Sequence, residues 1–273
     1  MEPLVDRVIA APEQYDIPEA GTPAETDRGP FHAPPPAAPL DSAYIWLYWG
    51  ILMSELDLVQ LAENPDPRAP CLLLLDTSAS MSGEPIRALN EGLTLFKQDV
   101  MGDALARRRV EVAVVGFGNG GGRTVQNFIT VEQWDPQELR AGGSTPLGQA
   151  LKVGLTLLRE RKDMYKRAGL QYYRPWLLLI TDGEPTDSWE DSARAAQDED
   201  FRRGLLFFVV GVERANMEKI GRIAPAERPP LKLKGLRFGE LFLWLSQSQQ
   251  AVSHSRVGDQ LALPPIGWAE VDT

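Results

Sequence analysis

Leu72-Leu73-Leu74-Leu75-Asp76-Thr77-Ser78-Ala79-Ser80 is the stretch that decides the fold. A strand buried on one face alternates apolar and polar residues. Four successive leucines behind Cys71 therefore predict a strand buried on both faces, as in the middle of a parallel sheet. The run stops at a carboxylate followed by hydroxyls at every second position. Asp76, Ser78 and Ser80 are thus expected on the loop beyond the carboxyl end of a central strand, where open α/β sheets bind ligands. Ser82-Gly83-Glu84-Pro85 is a helix-start signal, with the proline suited to the first turn.

Outward from this stretch, the same alternation of elements continues. Ile86, Leu89, Leu93, Phe96 and Val100 recur at helical spacing. Residues 109–117 (RVEVAVVGF) predict a second strand. Residues 118–122 (GNGGG) predict a flexible hairpin loop, since no phosphate-loop lysine follows them. Residues 124–131 predict a third strand, antiparallel because the connection is so short. Gly142-Gly143-Ser144-Thr145-Pro146 opens a helix that runs toward Arg167. Residues 175–180 (PWLLLI) repeat the buried-strand character and end at Thr181-Asp182-Gly183-Glu184-Pro185-Thr186-Asp187. A helix over 188–203, a strand over 205–212, a short helix over 216–224, a short strand over 231–233 and a last helix over 238–252 complete the pattern. The tail is expected to pack through Ile266 and Trp268. Strands alternating with helices, the middle strands uniformly apolar, specify an α/β, doubly wound, mainly parallel sheet with one antiparallel edge strand and helices on both faces.

Composition narrows the partners. The formal net charge of −10 argues against nucleic acid, whose phosphates need a basic face. The single cysteine excludes a disulfide framework and fits a reducing, cytoplasmic compartment, and Cys71 reads as core. The first residues are acidic and lead into no apolar export segment. Residues 43–53 (AYIWLYWGILM) are strongly apolar but about half the length a bilayer crossing needs. Residues 1–54 are read as a Pro/Ala/acidic extension, disordered over 1–41, that carries this apolar segment; residues 55–273 are the domain, entered through a short edge strand over 56–61. Three readings of the apolar run stay open: an element covering the domain, a partner-binding segment, or peptide that is not normally made, the last because Met53-Ser54-Glu55 resembles a start region.

Three loops carry the same chemistry: Asp76, Ser78 and Ser80 on the first, Ser144 and Thr145 on the second, Thr181, Asp182 and Asp187 on the third. Parallel central strands bring all three to one edge of the sheet. Two carboxylates and several hydroxyls, with no His or Cys nearby, match a hard cation such as Mg2+, with Mn2+ or Ca2+ as substitutes. Such a donor set fills only part of the shell, and an outside carboxylate is the natural remaining ligand.

These residues resemble a known family. Asp76-x-Ser78-x-Ser80, the distal Thr145 and Asp182 in Thr-Asp-Gly are similar to the metal-ion-dependent adhesion site of von Willebrand factor A (VWA) domains, over about residues 55–270. The resemblance implies that Ser78, Ser80 and Thr145 meet the metal directly, while Asp76 and Asp182 act largely through water. Ala79 stands where that family often has glycine, which is tolerated if its φ stays negative. Asn64-Pro65-Asp66-Pro67-Arg68, Gly83-Glu84-Pro85-Ile86, the Thr181–Asp187 loop and Leu263-Pro264-Pro265-Ile266-Gly267-Trp268 resemble bacterial cytoplasmic VWA proteins of the tellurite-resistance-associated, TerY-like type. That likeness implies a stress-response system with a protein kinase and a PP2C-like phosphatase. Residues 1–54 have no counterpart in it.

The resulting expectation is a binding module rather than an enzyme, holding Mg2+ and capturing an acidic residue of a protein partner. An adaptor for an AAA+ ATPase is the alternative. An Mg-dependent aspartate phosphatase using Asp76 is disfavoured, because Ser78 occupies the place of its second carboxylate. Thr145 and the serines also suit plain helix caps, Glu184 and Asp187 suit rim or cap positions, and Trp176 and Trp189 suit packing. Arg107-Arg108-Arg109 reads as a solvated helix end, and neither His32 nor His254 has a site.

Overall fold

In the computed structural model, which describes residues 8–9, 61, 63–182, 184–212 and 215–270, the strands are β1 (Val8–Ile9), β2 (Ala69–Thr77), β3 (Val110–Gly118), β4 (Gly121–Thr130), β5 (Trp176–Thr181), β6 (Leu206–Gly211), β7 (Leu231–Leu233), β8 (Gln260–Leu261) and β9 (Ala269–Glu270). The helices are α1 (Glu84–Met101), α2 (Ala106–Arg109), α3 (Leu147–Arg167), α4 (Glu190–Phe201), α5 (Met217–Ile223) and α6 (Phe238–His254). The layered unit comprises Met1–Pro12 and Pro65–Thr273. The second unit, Glu13–Asn64, lies almost wholly outside the described residues.

Seven strands form one sheet in the order β4-β3-β2-β5-β6-β7-β9. β2 runs parallel to both β3 and β5, and β5-β6-β7 continue in parallel. β4 is the antiparallel edge strand that the short connection demands. The leucine run is buried at every position because its two faces feed two cores. Cys71, Leu73 and Leu75 join Leu89, Phe96, Phe242 and Leu245 of α1 and α6. Leu72 and Leu74 join Leu151, Ala196 and Phe207 on the side of α3 and α4. Gly154 lets α3 settle onto that second face, since a Cβ there would stand 2.8 Å from Leu74 and 3.1 Å from Leu72. Burial pushes the Cys71 thiol far up, so it is core and unreactive.

The expected elements fall within a few residues of their places, with instructive exceptions. The glycine run is not a loop: only Asn119-Gly120 turn, and Gly118, Gly121 and Gly122 are strand residues. A Cβ on Gly118 would come 2.3 Å from the Thr77 carbonyl, and one on Gly122 2.7 Å from the Ala150 nitrogen. The glycines serve close backbone approach rather than flexibility. The tail does pack, with Trp268 edge-on to Trp244 at 5.6 Å. It also adds β9, antiparallel to β7, at the other edge.

Val8–Ile9, inside the stretch expected to be disordered, pairs with β8. The rest of residues 1–54, the apolar segment 43–53 included, lies outside the described residues. So does the expected strand over 56–61 apart from Leu61, which is helical. Arg109 is not solvated: its guanidinium donates to the Ser253 carbonyl at 2.7 Å and to Asp66 at 3.2 Å. No helix among the described residues is long and apolar enough to cross a membrane.

Candidate metal centre

β2 delivers Asp76 to the carboxyl edge of the sheet with its side chain fully buried. One carboxylate oxygen accepts the Ser78 N–H at 2.8 Å, and the other accepts the Thr181 hydroxyl, from the end of neighbouring β5, at 2.5 Å. Burial raises the Asp76 carboxyl above its ordinary range. The charge of Asp182 adds to the rise, while the bonds from Ser78 and Thr181 offset part of it. A buried carboxylate is held here at a cost, next to a second one.

Past Asp76 the chain makes a single 3-10 turn, Ala79–Met81. Ala79 keeps a negative φ, so the missing glycine does no harm. The turn places the Ser78 and Ser80 hydroxyls 2.9 Å apart, and Ser80 donates to Asp182 at 2.8 Å. Asp76, Ser78, Ser80 and Asp182, drawn from segments a hundred residues apart, are therefore joined by direct hydrogen bonds.

Thr145 arrives differently. The Gly142 N–H donates to the Thr77 carbonyl at 2.8 Å, and Ala79 N–H donates to the Gly143 carbonyl at 3.1 Å. These bonds stitch its loop to the first. Gly143 takes φ 78 where its Cα faces Asn119, a conformation suited to glycine. Thr145 is buried, and its backbone exchanges two hydrogen bonds with Thr186: N–H to the Thr186 hydroxyl at 3.1 Å and carbonyl from the Thr186 N–H at 2.9 Å. It does not cap α3. The N-cap position is Pro146, and the cap comes from Asp187, whose two oxygens accept the Gly148 and Gln149 N–H groups at 2.9 Å each. Thr186 is the partner that spacing alone did not single out; Thr181, counted among the third loop's donors, spends its hydroxyl on the Asp76 carboxylate.

Glu184 stands on the rim. Its carboxylate accepts from Lys219 at 2.7 Å and from Asn216 at 3.0 Å, and the lysine first, then the asparagine, hold it below its ordinary range. Trp189 is buried beneath the Arg222 guanidinium, 5.3 Å from its ring centre. His254 lies away from these loops, paired with Asp103 at 2.7 Å.

Among the described residues no three His, Cys, Asp or Glu side chains gather in a cage. The donor chemistry here is instead two carboxylates supplemented by serine and threonine hydroxyls. Oxygen donors with two negative charges fit a small hard cation, and their number leaves part of an octahedral shell to water or an outside oxygen. The chain of hydroxyls bonded to each other and to Asp182 is the arrangement that such an ion would draw on.

The von Willebrand factor type A domain model matches residues 72–232, more than half of the chain. Among solved structures, the pilus adhesin SpaC from Lactobacillus rhamnosus GG in its open conformation aligns with a TM-score of 0.55 at 15% identity, over 68% of this chain and 31% of the adhesin. A second form of SpaC aligns at 0.53 and 13%, over 67% and 30%. The vWF domain of the type V pili tip protein Mfa5 from Porphyromonas gingivalis aligns at 0.49 and 9%, over 70% and 98%. At these identities the likeness is one of fold, and the chain spans about a third of the SpaC length. No curated protein matches it in sequence.

Proposed function

Since the chain belongs to the von Willebrand factor type A family, we propose that it is a metal-dependent protein-binding module, holding Mg2+ at Asp76, Ser78, Ser80, Thr145 and Asp182 and capturing an acidic residue of a protein partner. The observation that carries this reading is the hydrogen-bonded set Ser78, Ser80 and Asp182 beside the buried Asp76, at the carboxyl edge of a parallel sheet. When bound, the cation supplies positive charge with a coordination place that a partner carboxylate can take. The chain supplies the rest. Asp76 fixes the Ser78 backbone, the turn aims two hydroxyls, and Asp182 adds the second charge.

The aspartate-phosphatase alternative is the weaker reading on the same geometry. Asp76 is fully buried with both oxygens engaged, so it is not free to attack a phosphoryl group. The short sequence likenesses at Asn64–Arg68, Gly83–Ile86 and Thr181–Asp187 support a place in a cytoplasmic bacterial stress-response or tellurite-resistance-type system with a kinase and a PP2C-like phosphatase. The buried lone Cys71 accords with a reducing compartment. Service to an AAA+ ATPase is the alternative, and the genes neighbouring this one separate the two.

Calorimetric titration of the full chain with MgCl2 and MnCl2 tests the metal. Saturable binding to the wild type, lost in Asp182→Ala, is the expected result; absence of binding to folded wild-type protein overturns the reading. Partner capture that persists unchanged in EDTA overturns its second half.

A further inference from the structure

We propose that Asp187, together with Thr186, is the positioning device of this site: a carboxylate on one loop that caps a helix begun by another and thereby sets where Thr145 stands. The inference rests on the metal reading above and adds the residues that fix its most distant ligand.

The bonds are specific. α3 begins without any cap of its own, Pro146 offering no side-chain acceptor and its first turn no acidic residue. Its Gly148 and Gln149 N–H groups are instead taken at 2.9 Å each by Asp187, 39 and 38 residues away. Thr186 clamps the residue just before the helix, its hydroxyl accepting the Thr145 N–H at 3.1 Å and its own N–H reaching the Thr145 carbonyl at 2.9 Å. The two segments lie so close that a Cβ on Gly148 would meet the Ser188 carbonyl at 2.3 Å and the Trp189 Cα at 2.8 Å.

A helix cap normally comes from the residue that precedes the helix. This one comes from the loop whose other end carries Asp182, bonded to Ser80 at 2.8 Å. One short loop therefore grips the first loop through Asp182 and the second through Thr186 and Asp187. Thr145 and Asp182 are held in register by the same six-residue span, 182–187. Groups that orient metal ligands typically change metal affinity about 10–100-fold when removed.

The test is a double-mutant cycle read by Mg2+ calorimetry on the full chain, with Asp187→Ala, Thr145→Ala and the pair. Asp187→Ala is expected to weaken Mg2+ binding at least about tenfold in the wild-type background and less than about twofold once Thr145 is alanine, because a positioning group acts only through what it positions. Equal losses in both backgrounds, or wild-type affinity in folded Asp187→Ala, overturn the inference. Should the alanine variant not fold, Asp187→Asn, which keeps the volume but only one acceptor, takes its place with the same criteria. Metal-free hydrogen exchange gives an independent readout: the Gly148, Gln149 and Thr145 amides are expected to exchange faster in the variant while those of β2 do not. Unchanged exchange at all three amides counts against the clamp. A wild-type protein that takes up no Mg2+ overturns the metal reading itself and this inference with it, whereas wild-type binding left intact by both Asp187 variants overturns only the inference.

Discussion

Asp76 shows how a site residue is bought at the expense of the fold. Burial, first, and the neighbouring Asp182 charge, last, raise its carboxyl above the ordinary 3.8. The folded protein thus holds this proton more tightly than the unfolded chain does. Between 3.8 and the raised value the folded state binds more protons, so its stability falls as pH rises through that window and stays lowered at neutral pH. Asp76→Asn removes the charge while keeping an acceptor for the Ser78 N–H. The metal-free melting temperature at neutral pH is therefore expected to rise in Asp76→Asn, and added Mg2+ to raise it no further. A thermal melt with EDTA and with excess Mg2+ checks both halves; a variant less stable than the wild type in EDTA contradicts the account.

At the scale of the element, what could be read from sequence was what local pattern controls. Leu72–Leu75 announced a doubly buried strand because each of its faces needs apolar side chains, and α1 and α3 announced themselves by helical spacing. The cap of α3 could not be read, because a hydrogen bond from the Gln149 N–H to Asp187 across 38 residues leaves no local signature. The glycines of the β3-β4 hairpin were legible as glycines but not as contacts. Their reason is the Ala150 and Thr77 backbones that tertiary structure brings against them. Gly122→Ala is accordingly expected to destabilise by about 1–3 kcal/mol, as overpacking against backbone does, measured by denaturant unfolding. The end of α4 makes the opposite case. Gly204 N–H reaches the Glu199 carbonyl at 2.8 Å and Arg203 N–H the Asp200 carbonyl at 2.9 Å, a helix-end pattern whose left-handed position usually holds glycine. Here Arg203 takes it, at φ 62. Arg203→Gly is expected to stabilise by about 0.5–1 kcal/mol by relieving the left-handed strain, net of glycine's entropy cost.

Across the whole sheet, stability and binding chemistry sit at opposite ends of the same strands. At the amino end, Glu111 is buried and accepts from Arg68 Nε at 3.0 Å, Arg161 Nε at 2.7 Å and the Tyr165 hydroxyl at 2.5 Å. At the carboxyl end stand Asp76 and its partners, roughly 20 Å away at ordinary strand rise, since Glu111 lies opposite Pro70 and Asp76 opposite Phe117. Glu111→Gln leaves two largely buried guanidiniums without their shared carboxylate and is expected to cost about 3–5 kcal/mol. The candidate metal loops are tied to one another rather than to that network, by Asp182 to Ser80, Gly142 to Thr77 and Thr186 to Thr145. The stabilisation from Mg2+ should therefore survive the loss: about 2.7 kcal/mol at a hundredfold excess over its dissociation constant, in variant and wild type alike. Denaturant unfolding of both proteins with and without Mg2+ measures the two effects separately. A Glu111→Gln protein that folds but has lost its response to Mg2+ would mean that the two ends of the sheet are coupled.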